Sequence, residues 1–369
     1  MTQLETLIQT LCPNGVKFVK LGDCCQILDS QRRPITKSQR EAGEYPYYGA
    51  NGIQDYVADF IFDGVFVLVG EDGSVLTPNG NPVVTWAEGK IWVNNHAHIL
   101  AGTEIAQLRF LFYVLQTLSI SHLVHGNIPK LTKKDLQELQ IPLPPLAVQS
   151  EIVRILDKFT LYKAELAAEL AARLQQYEYY RDQLLTFDDT VKRVKLGEVA
   201  EIGTGSSNTN EGKEEGLYPF YVRSQTPLRK DTYEYDETAI ITAGDGVGVG
   251  KVFHFVNGKY ALHQRAYRIH PVDTNILPKY LFYYMRTTFE GYIHKTMFHS
   301  SVSSIRRPML VEYPIPLPPL SEQERIVSIL DRFDKLCHDI REGLPAEIDL
   351  RQKQYEHYRD KLLTFEAKG

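Results

Sequence analysis

Five segments of this chain occur twice, in the same order. Ile141-Pro-Leu-Pro-Pro-Leu146, with the run to Phe159 behind it, returns as Ile315-Pro-Leu-Pro-Pro-Leu320 with the run to Phe333. Val16-Lys-Phe-Val-Lys-Leu-Gly-Asp23 returns as Val191-Lys-Arg-Val-Lys-Leu-Gly-Glu198, and Tyr45-Pro-Tyr-Tyr48 as Tyr218-Pro-Phe-Tyr221. Leu111-Phe-Tyr113 returns as Leu281-Phe-Tyr283, and the run from Tyr177 to Phe187 as the run from Tyr355 to Phe365. A period this long describes a duplicated domain with its helix rather than a solenoid. Whatever one copy folds into, the other must fold into too.

Each copy has the same parts. Residues 13–146 and 191–320 read as globular domains of α+β class with a β-rich centre. In the first, strands are expected over Val65–Val69, Pro82–Trp86, Ile91–Val93 and His98–Leu100, and a helix over Glu104–Thr117. Behind each domain the proline run forbids helix up to its last Pro-Leu. A long helix then fills 147–190 and 321–369. Ser321 and Glu324 have the spacing of a capping box for the second.

In the first helix Ile152, Leu156, Phe159, Lys163, Leu166, Leu170, Arg173, Tyr177, Tyr180 and Leu184 step by four and three, a heptad seam that asks for a partner helix. Burial against the neighbouring domain is the plainer alternative. The second helix carries the same seam with four extra residues at Gly343–Ala346, and Pro345 should kink or break it there. Residues 1–12 place Leu4, Leu7, Ile8 and Leu11 on one face. They precede Val16-Lys as the first long helix precedes Val191-Lys, so they are expected to pack beside residues 355–365 in a circular arrangement. A 39-residue helix spans on the order of 60 Å. An antiparallel pair of them relates the copies by a pseudo-twofold axis and sets two readers apart, as two half-sites on a duplex require.

Composition bounds the class. At 43% hydrophobic and 24% charged the chain is ordinary for a soluble protein. No signal peptide and no apolar run long enough for a membrane span is present. The four cysteines are too few and too irregular for a disulfide framework or zinc site, and fit a reducing cytoplasm. Net charge is −5, which alone argues against nucleic acid, but charge is segregated: residues 191–320 carry 16 Lys and Arg against 13 Asp and Glu.

The doubled order of these motifs, with Leu11-Cys-Pro-Asn-Gly-Val16 and Glu322-Gln-Glu-Arg-Ile-Val-Ser-Ile-Leu-Asp331, resembles the specificity subunits of type I restriction–modification enzymes over nearly the whole chain. The resemblance implies two target recognition domains separated by two long antiparallel coiled-coil helices. Each domain would read half of a bipartite, asymmetric site on double-stranded DNA. The helices would act as a ruler and dock two DNA methyltransferase subunits, which restriction/translocase subunits join. It implies a non-catalytic chain. S-adenosylmethionine, ATP and Mg would belong to the partners, with no cofactor or metal here. A standalone DNA-binding regulator and a coiled-coil interaction scaffold are the alternatives.

The resemblance fixes no base-contacting residues, so candidates come from residue chemistry. Hydroxyls, amides and guanidiniums suit phosphates and base edges. In the second domain the sharpest basic stretch offers Lys295, Ser301, Ser303, Ser304, Arg306 and Arg307, and its counterpart in the first offers His125, Asn127, Lys130 and Lys133. Asn95 and His96 pair with His263, Gln264 and Arg265. Arg223, Gln225, Arg229 and Lys230 form a further exposed run. Gly244–Gly250 has the glycines of a phosphate loop, but its flanks read as a hairpin. No catalytic triad, Walker motif or methyltransferase tetrapeptide occurs.

Overall fold

The computed structural model describes residues 3–124, 127–296, 304–339 and 342–368. Contacts divide the chain into two units, Met1–Leu166 with Ile348–Gly369, and Ala167–Glu347.

Chain order begins with α1 (Gln3–Leu11), β1 (Lys17–Lys20), α2 (Leu21–Cys24) and β2 (Gln26–Ile27). The strands β3 (Ala42–Gly49), β4 (Gly52–Val57), β5 (Phe62–Gly70), β6 (Val84–Val93) and β7 (Ala97–Ala101) follow. Then come α3 (Leu108–Leu115), α4 (Lys133–Glu138), β8 (Gln140–Leu143) and the 39-residue α5 (Leu146–Leu184). The second copy runs β9 (Arg193–Lys195), α6 (Leu196–Val199), β10 (Ala200–Thr204), β11 (Tyr218–Tyr221), β12 (Leu228–Lys230), β13 (Tyr235–Ala243), β14 (Phe253–Leu262) and β15 (Ala266–Pro271). It closes with α7 (Pro278–Thr296), α8 (Arg307–Val311), β16 (Pro314–Pro316), α9 (Leu320–His338) and α10 (Leu344–Leu363).

The duplication is exact at the level of topology. One six-stranded sheet has the order β2-β7-β5-β6-β3-β4 and the other β10-β15-β13-β14-β11-β12. Both are mixed, with one parallel pairing each, β3 on β6 and β11 on β14. A two-stranded ribbon closes each lobe, β1 on β8 and β9 on β16, and the proline run supplies one strand of it. Prolines are tolerated because a two-stranded ribbon has an open edge on each strand.

Both long-helix starts lie at the leucine after the last proline, Leu146 and Leu320. The expected Ser321 capping box is absent: Pro319 is the N-cap and no side chain caps it. A fully buried glutamine fastens each junction instead. Gln149 Nε2 donates to the carbonyls of Ile105 (3.1 Å) and Pro144 (2.8 Å), and its Oε1 accepts from the Gln107 amide at 2.9 Å. Gln323 donates to Asn275 and Pro318 (both 2.9 Å) and accepts from Leu277 at 2.8 Å. Gln149 thus takes backbone groups of Ile105 and Gln107, and α3 starts only at Leu108, short of the expected Glu104.

An aspartate on each long helix grips the lobe helix. Asp157 accepts from Arg109 Nε at 2.8 Å and Tyr113 Oη at 2.5 Å. Asp331 accepts from Lys279 at 2.8 Å and Tyr283 at 2.6 Å. The heptad seam therefore divides. Ile152 and Leu156 are fully buried in the core of their own lobe, whereas Phe159 stacks on Tyr358 with ring centres 5.5 Å apart. In the other unit the repeat equivalents, Phe333 and Tyr180, stack at 5.9 Å. Lys163 donates to Gln352, beyond Tyr358 toward the start of α10, and Tyr177 meets both Phe333 and His338. In each unit the paired helices run in opposite senses.

The break expected at Gly343–Ala346 occurs, and one strand boundary differs from the sequence reading. The second long helix is two helices, with the break before Leu344, so Pro345 sits in the first turn of α10, where its missing N–H costs nothing. Most of the run Pro82–Trp86 and all of Ile91–Val93 belong to one strand, β6, which starts at Val84. Gly89 (φ +80°) continues it opposite Gly64 (φ +154°), so the two runs are not separated. Leu4 and Cys12 share a core cluster with Tyr355 and Leu363, and the Val16 amide donates to the Glu366 carbonyl at 2.9 Å.

Candidate nucleic-acid interface

At one end of each sheet the same backbone frame brings three loops together. In lobe 1 the Asn94 amide donates to Tyr48 (3.0 Å) and the Glu71 amide to the His96 carbonyl (2.8 Å). The Leu131 amide donates to Glu71 at 2.8 Å, and Asp72 bridges to Lys130. In lobe 2 the matching bonds are His263 to Tyr221 (2.9 Å), Gly244 to Arg265 (2.9 Å) and Ile305 to Gly244 (2.8 Å), with Asp245 bridged to Ser304. An Asp-Gly pair turns the central loop each time, with Gly73 at φ +78° and Gly246 at +77°.

The frame gathers part of the candidate set. In lobe 1 it collects Asn95, His96, Asn127 and Lys130, all exposed. His96 Nδ1 contacts the Asp72 carboxylate, and Lys130 lies 3.3 Å from Glu71. Lys133 stands exposed on the first turn of α4. His125 lies outside the described residues, as do Ser301 and Ser303. In lobe 2 the frame collects Arg223, Gln264, Arg265 and Ser304.

Asp245 sits between two guanidiniums, 2.6 Å from Arg223 and 3.1 Å from Arg265. Burial pushes its carboxyl up, but these two arginines outweigh it and hold it below the usual range. Gln264 donates to Asn208 Oδ1 at 2.5 Å. Adjoining clefts of about 480 Å³ and 410 Å³ share Thr209 and Arg223 as lining. Val247, fully exposed, lines the larger and Arg265 the smaller.

Other candidates are spent inside the fold. His263 is 4% exposed, and its Nδ1 accepts from the Arg265 amide at 3.0 Å, as Asn94 Oδ1 accepts from His96 in lobe 1. Burial, then the charge of Arg223, lowers its pKa, which keeps that nitrogen an acceptor. Lys230, expected in an exposed run, is tied to Ser207 and Glu211 at 2.7 Å, and Arg229 donates to Gly216 and Leu217 carbonyls. Lys279 and Arg286, on α7 ahead of Lys295, pair with Asp331 and Asp334. Gln225, Lys295, Arg306 and Arg307 are exposed, but Arg307 lines a separate groove with Glu201 and Arg268.

One His/Asp/Glu cluster among the described residues has ligand atoms close enough for a metal: Asp29, Glu71 and His98. Arg32 already provides a cation there, 2.6 Å from Glu71 and 3.5 Å from Asp29. His98 joins Asp29 at 2.7 Å and the Leu131 carbonyl at 2.9 Å, so the trio reads as a brace beneath the frame. All four cysteines are free and buried. Among the described residues no helix is long and apolar enough to cross a membrane.

The doubled chain has counterparts among known proteins. The model of the type I restriction modification DNA specificity domain matches residues 13–176 and again 188–350. The chain belongs to the type I restriction–modification DNA specificity family. A putative type I restriction enzyme specificity subunit of Haemophilus influenzae is 36% identical over 99% of this chain and 98% of its own length. The EcoR124I/EcoR124II specificity subunit of Escherichia coli is 37% identical over 70% of this chain and 71% of its own. The crystal structure of a type I S subunit from M. genitalium superposes with a TM-score of 0.64 at 17% identity, covering 95% of this chain and 96% of that one. At that identity the superposition speaks for the shared fold. Within this family fold, reasoning from residue types missed Asn208, Thr209, Asn210, Asp245 and Val247. The Asp-Gly pair recurring at 72–73 and 245–246 was the signal that could have found the frame.

Proposed function

We propose that this chain is the DNA specificity subunit of a type I restriction–modification complex, each lobe recognising one half of a bipartite, asymmetric target. The observation that carries this is the frame built twice with different side chains. His96 and Asp72 stand where Arg265 and Asp245 stand, so two equivalent readers present unlike chemistry. The long helices space the readers and dock two methyltransferase subunits, with restriction/translocase subunits joining the assembly. Methyl transfer and cleavage are the partners' chemistry, and S-adenosylmethionine, ATP and Mg bind to them. This chain contributes sequence choice.

The test is reconstitution with the cognate methyltransferase subunits and mapping of methylated adenines in random-sequence DNA. Two short unlike motifs at a fixed spacing are expected. Methylation at a continuous motif, or none that depends on this chain, overturns the proposal.

A further inference from the structure

Val247 is a valine with its whole side chain in water. It stands at the tip of Gly246-Val-Gly248, where Gly246 at φ +77° sets a turn that larger residues would strain. It lines the same cleft as Arg223, and Asp245, two residues before it, holds both Arg223 and Arg265. A guanidinium has five N–H donors. One carboxylate shared between two arginines leaves most of those donors unused while fixing where the planes lie. The Arg265 side chain remains 62% exposed.

We infer that lobe 2 reads a guanine through Arg265, oriented by Asp245, and a nearby thymine methyl group through Val247, in the major groove. This rests on the DNA-specificity reading above. Arg matches the O6 and N7 acceptors that only guanine pairs in the major groove, and apolar side chains match the thymine C5 methyl. Two residues of extended chain reach at most about 7 Å, and successive bases on a strand are 3.4 Å apart. With the Asp245 side chain and its 3.1 Å bond to Arg265 added, the two contacts fall within about four base pairs. Valine ends one bond beyond its Cβ, so it can touch a methyl but is too short to wedge a base step open as longer apolar side chains do. Lobe 1 has Ser74 and His96 at the equivalent places, so its half-site carries no matching requirement.

The experiment uses the complex reconstituted with its methyltransferase subunits, on a duplex containing the mapped target. Each thymine of the lobe 2 half is replaced in turn by deoxyuridine, which removes only the methyl group. Each guanine is replaced by 7-deazaguanine, which removes only N7. One deoxyuridine should weaken binding about fourfold, the worth of one buried methyl, and Val247→Ala should erase that sensitivity while leaving lobe 1 positions unaffected. One 7-deazaguanine should weaken binding at least fivefold, and Arg265→Ala should erase that response. Thymine positions that all ignore the loss of the methyl, a lobe 2 half without thymine or guanine, or a Val247→Ala complex that keeps the sensitivity would each overturn the inference. Failure of the wild-type complex to bind any specific duplex would instead refute the underlying function.

Discussion

Replacing Gln149 with alanine tests the fastener that joins the proline run to the long helix. The side chain is fully buried and makes three hydrogen bonds, two to the carbonyls of Ile105 and Pro144 and one from the Gln107 amide. Each is worth about 1 kcal/mol net, and more where its partner is left unpaired away from water. The loss should reach about 3 kcal/mol. With a urea slope of about 2 kcal/mol per molar, the unfolding midpoint should fall by about 1.5 M. Both tryptophans, Trp86 and Trp92, lie on β6, so tryptophan emission reports this lobe. Gln149→Leu restores most of the volume and leaves the same backbone groups unpaired, so it should lose nearly as much. A midpoint shift below about 0.3 M for the alanine variant would show that the freed groups find other partners, and the fastener argument would fail.

Three further outcomes are expected. Asp331→Asn should remove the Lys279 ion pair and weaken the Tyr283 bond, lowering the stability of the second unit by about 1–2 kcal/mol in calorimetry; an unchanged transition would mean apolar packing alone holds α7 to α9. Burial lowers the pKa of His254, and burial with the Arg223 charge lowers that of His263, so the unfolded chain takes up protons first. Their stabilisation is complete above the ordinary histidine value near 6.5 and is lost as pH falls through the folded values. His263→Asn, which copies Asn94, should flatten this acid dependence, and an identical pH profile would contradict the assignment. Arg306→Ala should weaken duplex binding by the assembled complex and reduce the slope of log affinity against log salt by about 0.9 if it neutralises one phosphate. An unchanged slope would remove Arg306 from the interface.

The repeat made the architecture legible, because any element found in one copy had to exist in the other. The sameness of the two sheet orders, the recurring proline-to-helix junctions and the matching Phe159–Tyr358 and Phe333–Tyr180 stacks reflect the paired segments. Local rules did worse where a distant residue intervened. Ser321 looked like a cap, but the helix starts one residue earlier, at Leu320; Pro82–Trp86 and Ile91–Val93 looked like separate strands, but Gly89 faces Gly64 across one ladder. The interface was half legible. Arg265, Gln264 and Arg223 were visible from their chemistry. Lys230 looked equally suited, but its partners Ser207 and Glu211 lie in a stretch whose residues differ from those of the first copy, so pairing could not be inferred from the repeat. His263 was read as a contact together with Gln264 and Arg265, yet both Asn94 and His263 serve the turn itself.

The first unit is discontinuous: residues 348–369 complete it, and Tyr355 and Leu363 lie in the cluster that buries Leu4, Cys12 and Val16. The ribosome makes the whole of the second unit before it makes the stretch that seals the first. The earliest-made apolar face must therefore wait, open to chaperones or to wrong neighbours, while its successor matures. A nonsense codon after residue 347 would spare every residue of the later lobe and leave the earlier one unsealed.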